Sequence, residues 1–273
     1  MPELREVIRG WRRDGESVGL VPTMGALHEG HLALVRMAKA KCDRAVTSIF
    51  VNPTQFAPHE DFTRYPRNEV ADLEKLAEVN CDLVWAPDVT EMYPPGFASE
   101  IVPKGAAAGL ESDYRPHFFI GVATVCTKLF GQVTPDVAVF GEKDYQQLCV
   151  IRQVVRDLNL PLDILGHPTV REPDGLAMSS RNAYMTAEER ALAPRIHQVL
   201  VTAAREVAEG SSIAATMSRG REELAAAGFK VDYFEVREAE TLGVVEDAAK
   251  KPLRVLAAAW LGKTRLIDNV SVE

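Results

Sequence analysis

The sequence predicts an α/β fold: a parallel sheet with helices in the larger, N-terminal part of the chain, and a smaller α+β domain after it. Between residues 18 and 166, short apolar runs alternate with segments of helical periodicity, the pattern of βαβ units. Polar loops containing glycine follow the apolar runs at 18 to 21 and 136 to 140, where parallel sheets bind ligands. A helical segment and three strand-like runs, near 229 to 237, 254 to 260 and 264 to 269, close the chain.

The chain opens with an amphipathic helix that ends by Gly15, because apolar residues recur at helical spacing at Leu4, Val7, Ile8 and Trp11. A buried strand at 18 to 21, a helix beginning near Gly30 and a strand at 45 to 51 then form a βαβ unit, which is almost always right-handed. Further helices are predicted at 70 to 77, 119 to 129, 144 to 158, 186 to about 209 and 213 to 227, and further strands at 82 to 86, 99 to 103, 136 to 140 and 162 to 166. Thr186 and Glu189 match a capping box at the start of the helix at 186.

Length and composition indicate two domains without a nucleic-acid partner. At 273 residues, 47% of them hydrophobic, one larger and one smaller domain are expected, and we place the border so that they cover 1–172 and 173–273. The chain has 31 Lys and Arg against 39 Asp and Glu, a formal net charge of −8, which argues against nucleic acid as a partner. A binding site for anions must therefore gather its cations locally.

The cysteines and the apolar runs indicate a cytoplasmic protein. No CxxC pair occurs, and each cysteine lies in or beside an apolar segment, so reduced core thiols are expected at Cys42, Cys81, Cys126 and Cys149. No apolar region of a signal peptide follows the charged N-terminal residues. No run reaches the roughly 18 apolar residues of a membrane span, so no membrane partner is expected.

The stretch VGLVPTMGALHEGHLAL, residues 18 to 34, reads as a strand, a glycine loop and a helix start. Gly25 and Gly30 let the backbone approach a ligand closely, and the helix start is expected to offer free N–H groups to a phosphate. His28 and His31, three residues apart, can both donate to phosphate oxygens. The alternative is that one histidine caps the helix and the other lies at the surface. Zinc is not expected, because metalloprotease HExxH sites space the histidines by four and no third ligand cluster is evident.

Two later loops carry polar residues with open interpretations. In NPTQFAPHEDFTRYPR, residues 52 to 67, Asn52 and Gln55 can bond a ligand's hydroxyl or carboxylate groups, but Asn52 followed by proline also fits plain turn chemistry. Residues 104 to 117 read either as a flap over a site or as a solvated connection.

A second strand-to-helix turn, GEKDYQQL, spans residues 141 to 148. Gly141 gives the turn, Lys143 a cation, and Asp144 a carboxylate that can hold a magnesium ion. Gln147, one turn into the helix, can face the same cleft as Asp144. The alternative is a capped helix start with solvated ends. REPDGLAMSSRN, residues 171 to 182, is a long polar loop.

Six motifs in this order resemble the pantothenate synthetase family of ATP-dependent pantoate:β-alanine ligases. They are PTMGALHEGH (22 to 31), IFVNPTQF (49 to 56), RYPR (64 to 67), MYP (92 to 94), FGEKDYQQL (140 to 148) and GLAMSSRN (175 to 182). The likeness extends to TRLIDN, residues 264 to 269. One departure stands out: RPHFFIGV, residues 115 to 122, places Phe118 where the family usually has a histidine, and His117 lies one residue early.

The resemblance implies a Rossmann-like nucleotidyltransferase domain with helices on both faces, related to class I aminoacyl-tRNA synthetases, in which residues 1–172 bind ATP and pantoate. HEGH would be its HIGH-type element, MSSR the counterpart of the KMSKS loop, and residues 173–273 a smaller domain covering the active site. By position, the ATP-binding residues would be Met24, Gly25, Ala26, Leu27, His28, Glu29, Gly30, His31, Gly141, Glu142, Lys143, Asp144, Val170, Met178, Ser179, Ser180 and Arg181. His31 would be the proton donor, Gln55 and Gln147 would bind pantoate, and Gln55 would also reach β-alanine. A homodimer is implied as well.

The implied reaction forms pantoyl adenylate from ATP and pantoate and then transfers the pantoyl group to β-alanine, in pantothenate and coenzyme A biosynthesis. Because negative charge concentrates near the triphosphate, we expect catalysis by positioning and preorganised charge from His28, His31, Lys143 and Arg181. Mg²⁺ would accompany ATP, with Asp144 as a candidate ligand. The alternatives are another HIGH-type nucleotidyltransferase such as a cytidylyltransferase, a metal-dependent hydrolase, and a nucleotide-binding module without catalysis.

Overall fold

The computed structural model describes residues 1–57, 60, 62–245 and 251–273. The chain forms two compact units, one of Met1–Glu142 with Val150–Pro168 and one of Lys143–Cys149 with Thr169–Glu273. The proposed division of functions between 1–172 and 173–273 stays a prediction.

The helices and strands follow one another in the expected alternation. The helices are α1 (Pro2–Arg13), α2 (Glu29–Lys41), α3 (Glu69–Glu78), α4 (Val89–Met92), α5 (Glu111–Tyr114), α6 (Phe118–Val133), α7 (Tyr145–Asp157), α8 (Ala187–Leu192), α9 (Arg195–Ala208) and α10 (Ile213–Ala226). The strands are β1 (Val18–Thr23), β2 (Arg44–Ile49), β3 (Leu83–Trp85), β4 (Val137–Gly141), β5 (Asp163–His167), β6 (Lys230–Glu238), β7 (Leu253–Leu261) and β8 (Thr264–Val272).

The first unit contains a parallel sheet in the order β3-β2-β1-β4-β5. Val18, Leu20 and Val21 of the central strand β1 are fully buried, as the continuous apolar run predicts for a parallel strand covered on both faces. The chain runs outward from β1 to β3 and then returns to β4, so the strand order reverses between β1 and β4. Open α/β sheets bind ligands at such a reversal, outside the carboxyl ends of the strands. Thr23 and Gly141 mark that edge here.

The second unit contains an antiparallel sheet in the order β6-β7-β8 together with α8, α9 and α10. Its core joins the inner faces of the sheet and of α9 and α10, including Leu200, Leu224, Phe234 and Ala257. The predicted fold class, a parallel α/β part followed by a smaller α+β part, is therefore confirmed.

Two predicted elements are wrong in detail. The single helix expected from 186 to about 209 is two helices, α8 and α9, which meet at Pro194. Proline lacks the N–H of a helix interior and its ring clashes with the preceding turn, so the helix restarts there. The Thr186 and Glu189 capping box is confirmed. The strand expected at 99 to 103 is absent, because Ile101 donates its N–H to Thr124 Oγ1 at 3.0 Å and does not join a ladder.

All four cysteines are free thiols, as predicted, and Cys42, Cys126 and Cys149 are buried. Burial raises the pKa of the Cys126 thiol to about 12, so it is protonated and inert at neutral pH. Within the described residues, no helix is both long and apolar enough to cross a bilayer.

Asp82 ties α2 to the sheet and gives the first unit a pH-dependent contribution to stability. Its carboxylate accepts hydrogen bonds from Lys39 Nζ and from the Ala45 N–H, each at 2.8 Å, and lies 3.4 Å from Arg44 Nη1. Burial opposes ionisation, but these hydrogen bonds and cations outweigh it and lower the pKa of Asp82. A lowered carboxyl pKa stabilises the fold above the ordinary value of about 3.9, and that stabilisation is lost as the pH falls through the native pKa.

We expect Asp82→Asn to lower the free energy of unfolding at pH 7 by about 1 to 2 kcal/mol. The variant should also lose stability less steeply than the unchanged protein below about pH 4, because it has no carboxylate to protonate there. Urea unfolding from pH 3 to pH 8 measures both effects. Asp157→Asn, which removes an exposed carboxylate beside Arg156, is the control and should follow the unchanged protein. If the free energy of unfolding falls equally steeply below about pH 4 in Asp82→Asn and in the unchanged protein, this assignment is wrong.

Candidate active site

Two histidines build the start of α2 at the carboxyl end of β1. His28 is the N-cap residue, and its Nδ1 accepts the Gly30 N–H at 3.2 Å. His31 accepts the His28 N–H through its own Nδ1 at 3.3 Å. The ring centroids lie 4.1 Å apart. The pair is a capping box in which imidazoles replace the usual Ser or Thr and the usual Glu or Gln.

This cap decides which nitrogen of each ring carries the proton. An Nδ1 that accepts a backbone N–H bears no hydrogen, so the neutral form of each histidine is protonated at Nε2. Both rings can therefore donate through Nε2 to an anion. The alternative was that one histidine caps the helix and the other lies at the surface. Both histidines take part in the cap, and both are half-buried, so neither is a surface residue. Binding of a phosphate by the pair stays a prediction.

The expectation of free N–H groups at the start of α2 is wrong at Gly30, and N–H groups of the preceding loop also have partners within the protein. Asp72 on α3, 2% exposed, accepts the Ala26 N–H and the Leu27 N–H, both at 2.8 Å. The N–H groups of His28 and Gly30 are used in the histidine cap. Asp72 therefore occupies two N–H groups of the glycine loop, and binding of a phosphate by this loop stays a prediction.

Asp72 and its neighbour Lys75 fix the shape of this loop. Lys75 Nζ donates to the Leu27 carbonyl at 2.6 Å. Gly25 has φ +80, and a Cβ there would lie 3.0 Å from Asp72 Oδ2, so the loop needs glycine both for its conformation and for its approach to the carboxylate. Residues of α3 thus bind two N–H groups and one carbonyl group of the loop, which fixes the path of the loop toward α2.

On the predicted role of the histidines toward ATP, we expect Asp72→Asn to reduce kcat/KM for ATP by about 10- to 100-fold, because the substitution displaces the loop that positions them. Asparagine has one acceptor for two N–H donors, so the free energy of unfolding should also fall by about 1 to 3 kcal/mol. Steady-state kinetics and urea unfolding measure the two effects. Asp136→Asn removes an acceptor of the Val18 N–H at the other end of β1 and should leave kcat/KM for ATP unchanged. Equal kcat/KM values for ATP in Asp72→Asn and the unchanged protein would refute this role.

Asn52 follows turn chemistry, which settles the alternative left open by the sequence. Its Oδ1 accepts from Thr54 N–H and from Tyr93 Oη, at 3.3 and 2.8 Å, and its Nδ2 donates to Gln55 Oε1 at 2.9 Å and to Gly121 O at 3.2 Å. Asn52 is 1% exposed and its amide is used within the protein. Because Gln55 Oε1 accepts from Asn52, the amide of Gln55 is oriented so that its Nε2 can be offered to a carboxylate or hydroxyl group.

The residue that departs from the family pattern has a partner in the structure. The Arg115 guanidinium lies 3.9 Å from the centroid of the Phe118 ring, a cation–π contact. Arg115 also pairs with Glu60 at 2.7 and 2.8 Å and donates to the backbone carbonyl of Gln55 at 3.0 Å. Burial opposes ionisation of Glu60, but Arg115 outweighs it and lowers the pKa of that carboxyl. Phe118 therefore supports the arginine that holds the Gln55 backbone, while His117 precedes α6 as its N-cap residue.

The second strand-to-helix turn belongs to the second unit from Lys143 onward. Lys143 Nζ lies 3.8 Å from Asp144 Oδ2, and the Asp144 side chain is 44% exposed. The Lys143 carbonyl accepts from Asn269 Nδ2 at 3.0 Å. Gln147 is half-buried in the first turn of α7. Among the residues that the structure describes, no three His, Cys, Asp or Glu side chains form a group that could hold a metal ion.

The MSSR segment follows a short hairpin in the second unit. Met178 N–H donates to the Val170 carbonyl at 3.0 Å, and Arg171 and Ala177 form an antiparallel bridge. Two residues of the predicted ATP site, Val170 and Met178, are thus directly paired. Ser179 caps the 3₁₀ turn Ser180–Tyr184 by accepting the Arg181 N–H at 3.3 Å. The roles of these residues toward ATP stay predictions.

Sequence reasoning gave no role to the polar residues that support the candidate site, namely the buried Asp72, Asp268 and Asn269 and the half-buried Lys75 and Tyr93. One signal was present: Asp72 lies four residues before the buried Leu76 on α3, and an acidic residue on the apolar face of a helix needs a partner. Its partners, two backbone N–H groups in a distant loop, could not be read from that spacing.

Comparisons with known proteins agree with these features over the whole chain. The family model described as Pantoate-beta-alanine ligase matches residues 1–271. A pantothenate synthetase of Rhodopseudomonas palustris is 55% identical over 273 residues, covering 100% of this chain and 96% of that protein. One from Mesorhizobium japonicum is 58% identical over 270 residues, covering 98% of this chain and 95% of that protein.

Solved structures show the same fold. A pantothenate synthetase from Thermus thermophilus has a TM-score of 0.93 at 45% identity, covering 98% of this chain and 97% of that one. A pantoate-beta-alanine ligase from Francisella tularensis, crystallised in complex with beta-gamma ATP and beta-alanine, has a TM-score of 0.82 at 32% identity, covering 98% and 95%. The full-length family match and these relatives show that the chain belongs to the pantoate-beta-alanine ligase family.

Proposed function

We propose that this ligase joins (R)-pantoate and β-alanine to give pantothenate through a pantoyl-adenylate intermediate, with release of pyrophosphate and AMP. The observation that carries the proposal is the histidine capping box at the start of α2, which follows the carboxyl end of β1 and uses Nδ1 of both rings as acceptors, so that each neutral ring carries its proton on Nε2. Family membership supplies the substrates, and the cap supplies a physical means of stabilising their charge.

In the first step, a carboxylate oxygen of pantoate attacks the α-phosphorus of ATP and the bond to the departing pyrophosphate breaks. Negative charge grows on the leaving oxygens, so donors fixed in place before the reaction stabilise the transition state more than the ground state. We assign this part to His28 and His31 through Nε2, and to the cations of Lys143 and Arg181. The other residues proposed to bind ATP lie in the segments 24 to 31, 141 to 144, 170 and 178 to 181.

In the second step, the amine of β-alanine attacks the pantoyl carbonyl carbon, the carbon–oxygen bond to AMP breaks, and the amine releases a proton to solvent as the amide forms. Gln55 is proposed to bind pantoate and to reach β-alanine, and its oriented Nε2 supports this because the group can donate to carboxylate and hydroxyl oxygens. Gln147 is proposed to bind pantoate as well. His31, protonated at Nε2 in its neutral form, is the proposed proton donor.

Mg²⁺ is proposed to enter with ATP. Asp144 offers one exposed carboxylate, which suits an ion held mainly by phosphate oxygens and water with one protein ligand. When bound, the ion neutralises phosphate charge during adenylate formation. A cytoplasmic location is proposed from the four free thiols. A homodimer is proposed from the resemblance alone, and light scattering tests it.

The test is pantoate-dependent formation of pyrophosphate and AMP from ATP with magnesium, with and without β-alanine. We expect steady release of AMP only with both acids, and pantothenate as the product. Pyrophosphate formation from ATP and pantoate alone, limited to about one equivalent per site, would support the adenylate. Activity with CTP and a phosphorylated alcohol, and none with ATP and the two acids, would instead indicate a cytidylyltransferase.

A further inference from the structure

The TRLIDN segment has no role in the mechanism above, yet it places two buried polar residues side by side in β8. Asp268 is 2% exposed and Asn269 is 3% exposed. Neighbouring residues of a strand point to opposite faces of the sheet, so the two side chains serve different surroundings. Burial of an ionised carboxylate and an amide is costly unless both are fully hydrogen-bonded, and both have specific partners here.

Asp268 holds the hairpin that precedes the MSSR segment. Its carboxylate accepts Arg171 Nη1 at 2.7 Å and Nη2 at 2.9 Å, a bidentate pair. The same guanidinium donates to the Gly175 carbonyl at 3.1 Å, at the far end of the hairpin. Because Arg171 lies next to Val170, and Val170 is paired with Met178, this ion pair fixes the base of the loop that carries residues 178 to 181.

His197 on α9 closes the other side of this ion pair. Its Nδ1 lies 3.4 Å from Asp268 Oδ2. Gly175 has φ +93, and a Cβ there would lie 2.9 Å from the His197 ring, so the hairpin packs directly on the histidine. Burial opposes ionisation of Asp268, but His197 and Arg171 outweigh it and lower the pKa of its carboxyl. Asp268 is therefore an anion at neutral pH, as the arginine requires.

Asn269 holds the other predicted ATP segment of the same unit. Its Nδ2 donates to the Lys143 carbonyl at 3.0 Å, and its Oδ1 accepts Arg254 Nε at 2.6 Å. The Arg254 guanidinium lies 3.7 Å from the centroid of the Tyr145 ring, two residues after Lys143. An amide from β8 thus holds the backbone of the GEKD turn at Lys143, and an arginine from β7 orients that amide and packs on Tyr145.

We propose that Asp268 and Asn269 are positioning residues for adenylate formation, which hold the Lys143 turn and the hairpin before Arg181 in one fixed arrangement within the second unit. The inference rests on the proposed function, because it assigns these two residues to the supports of Lys143 and Arg181 and not to substrate. The physical reason is that a donor stabilises a transition state only when it is held before the reaction, and displacement by about 1 Å can cost about 10²-fold in rate.

Asn269→Asp is the sharpest test, because the substitution keeps the shape and the acceptor for Arg254 while it removes the donor to the Lys143 carbonyl. We expect KM for ATP to rise and kcat for pyrophosphate formation to fall, each by about 3- to 10-fold, while KM for pantoate changes less than about twofold. If Asn269 had a purely structural role, the substitution would lower the amount of folded enzyme, and KM for ATP would not rise relative to KM for pantoate.

Asp232→Asn is the matched control. It breaks the ion pair of Asp232 with Arg265, 2.7 Å apart, which joins β6 and β8 in the same sheet, and neither residue belongs to a predicted ATP segment. Thermal unfolding of both variants separates stability from function. Asp232→Asn should lower the melting temperature and leave both KM values unchanged.

Arg171→Lys tests the other half of the proposal and serves if Asn269→Asp does not fold. Lysine keeps the charge beside Asp268 but loses the bidentate fork and the bond to Gly175. We expect the same selective rise in KM for ATP. The inference would be overturned if the parent is active, Lys143→Ala is inactive, and the folded variant, Asn269→Asp or Arg171→Lys, has the kinetics of the parent. A parent without pantoate-dependent pyrophosphate formation, or a fully active Lys143→Ala, would instead refute the proposed function or the role of Lys143.

Discussion

Replacement of His31 by alanine is expected to slow pantoate-dependent pyrophosphate formation by about 10²- to 10³-fold, equivalent to about 3 to 4 kcal/mol of transition-state stabilisation. His31 Nδ1 accepts the His28 N–H in the cap of α2, and the proposed second function is donation through Nε2. His31→Asn separates them: its Oδ1 can take the place of Nδ1 as acceptor of the His28 N–H, while nothing replaces the Nε2 donor. We expect the asparagine variant to lose nearly as much rate as the alanine variant and to unfold close to the parent.

His28→Asn provides the matched control for the cap. Asparagine is among the preferred N-cap residues, so the helix start should survive and any loss of rate reports the imidazole itself. Single-turnover formation of pyrophosphate, with circular dichroism to check folding, measures both variants. Parent-like adenylation in His31→Asn would show that the ring serves only as a cap, and the assignment of a donor at Nε2 would then be wrong.

Replacement of Lys143 by alanine is expected to cost a similar factor of about 10² to 10³ in adenylate formation, because the variant removes a cation aimed at developing phosphate charge. The fold should persist, since the backbone carbonyl of Lys143 still accepts from Asn269 and the side chain's ion pair is with the exposed Asp144. Rapid-quench measurement of pyrophosphate at saturating ATP separates this loss from weaker binding.

Two further variants of lysine residues sharpen the test. Lys143→Arg keeps the positive charge in a longer, planar group and should recover part of the lost rate. Lys251→Ala removes the same charge from an exposed ion pair with Glu238 and should have parent-like kinetics. If Lys143→Ala forms pyrophosphate as quickly as Lys251→Ala, its assigned role in adenylation fails.

The order of strands and helices was predicted largely correctly because it depends on local patterns. The apolar run at 18 to 21, the spacing of Leu32, Val35 and Ala38, and the apolar run at 136 to 140 each determine one element within a few residues. The errors lie where a single residue overrides a pattern. Pro194 divides a helix that periodicity alone would continue, and Ile101 has its N–H taken by a side chain 23 residues away.

The candidate site was predicted less evenly. The histidine pair, Lys143 and the MSSR segment were found from their residue types and motifs. The residues that hold them in place were not predicted. A buried hydrogen bond needs two partners, and the sequence does not show which two residues the fold brings together. Asn52 illustrates this: it looked equally like a ligand or a turn residue, and Tyr93, 41 residues later, decides the matter by donating to its Oδ1.

The sequence by itself determined the family, the parallel α/β class and the residues that carry charge, because periodicity, turn chemistry and motif order are properties of short segments. Only the tertiary structure decided which donors an anion could meet. It brings Asp72 to N–H groups 45 and 46 residues earlier in the chain, so that a carboxylate holds the glycine loop and the imidazoles are the proposed donors to an anion. It likewise joins Arg171 to Asp268 across 97 residues. Such pairs form because a buried polar group must find a partner wherever the fold places one.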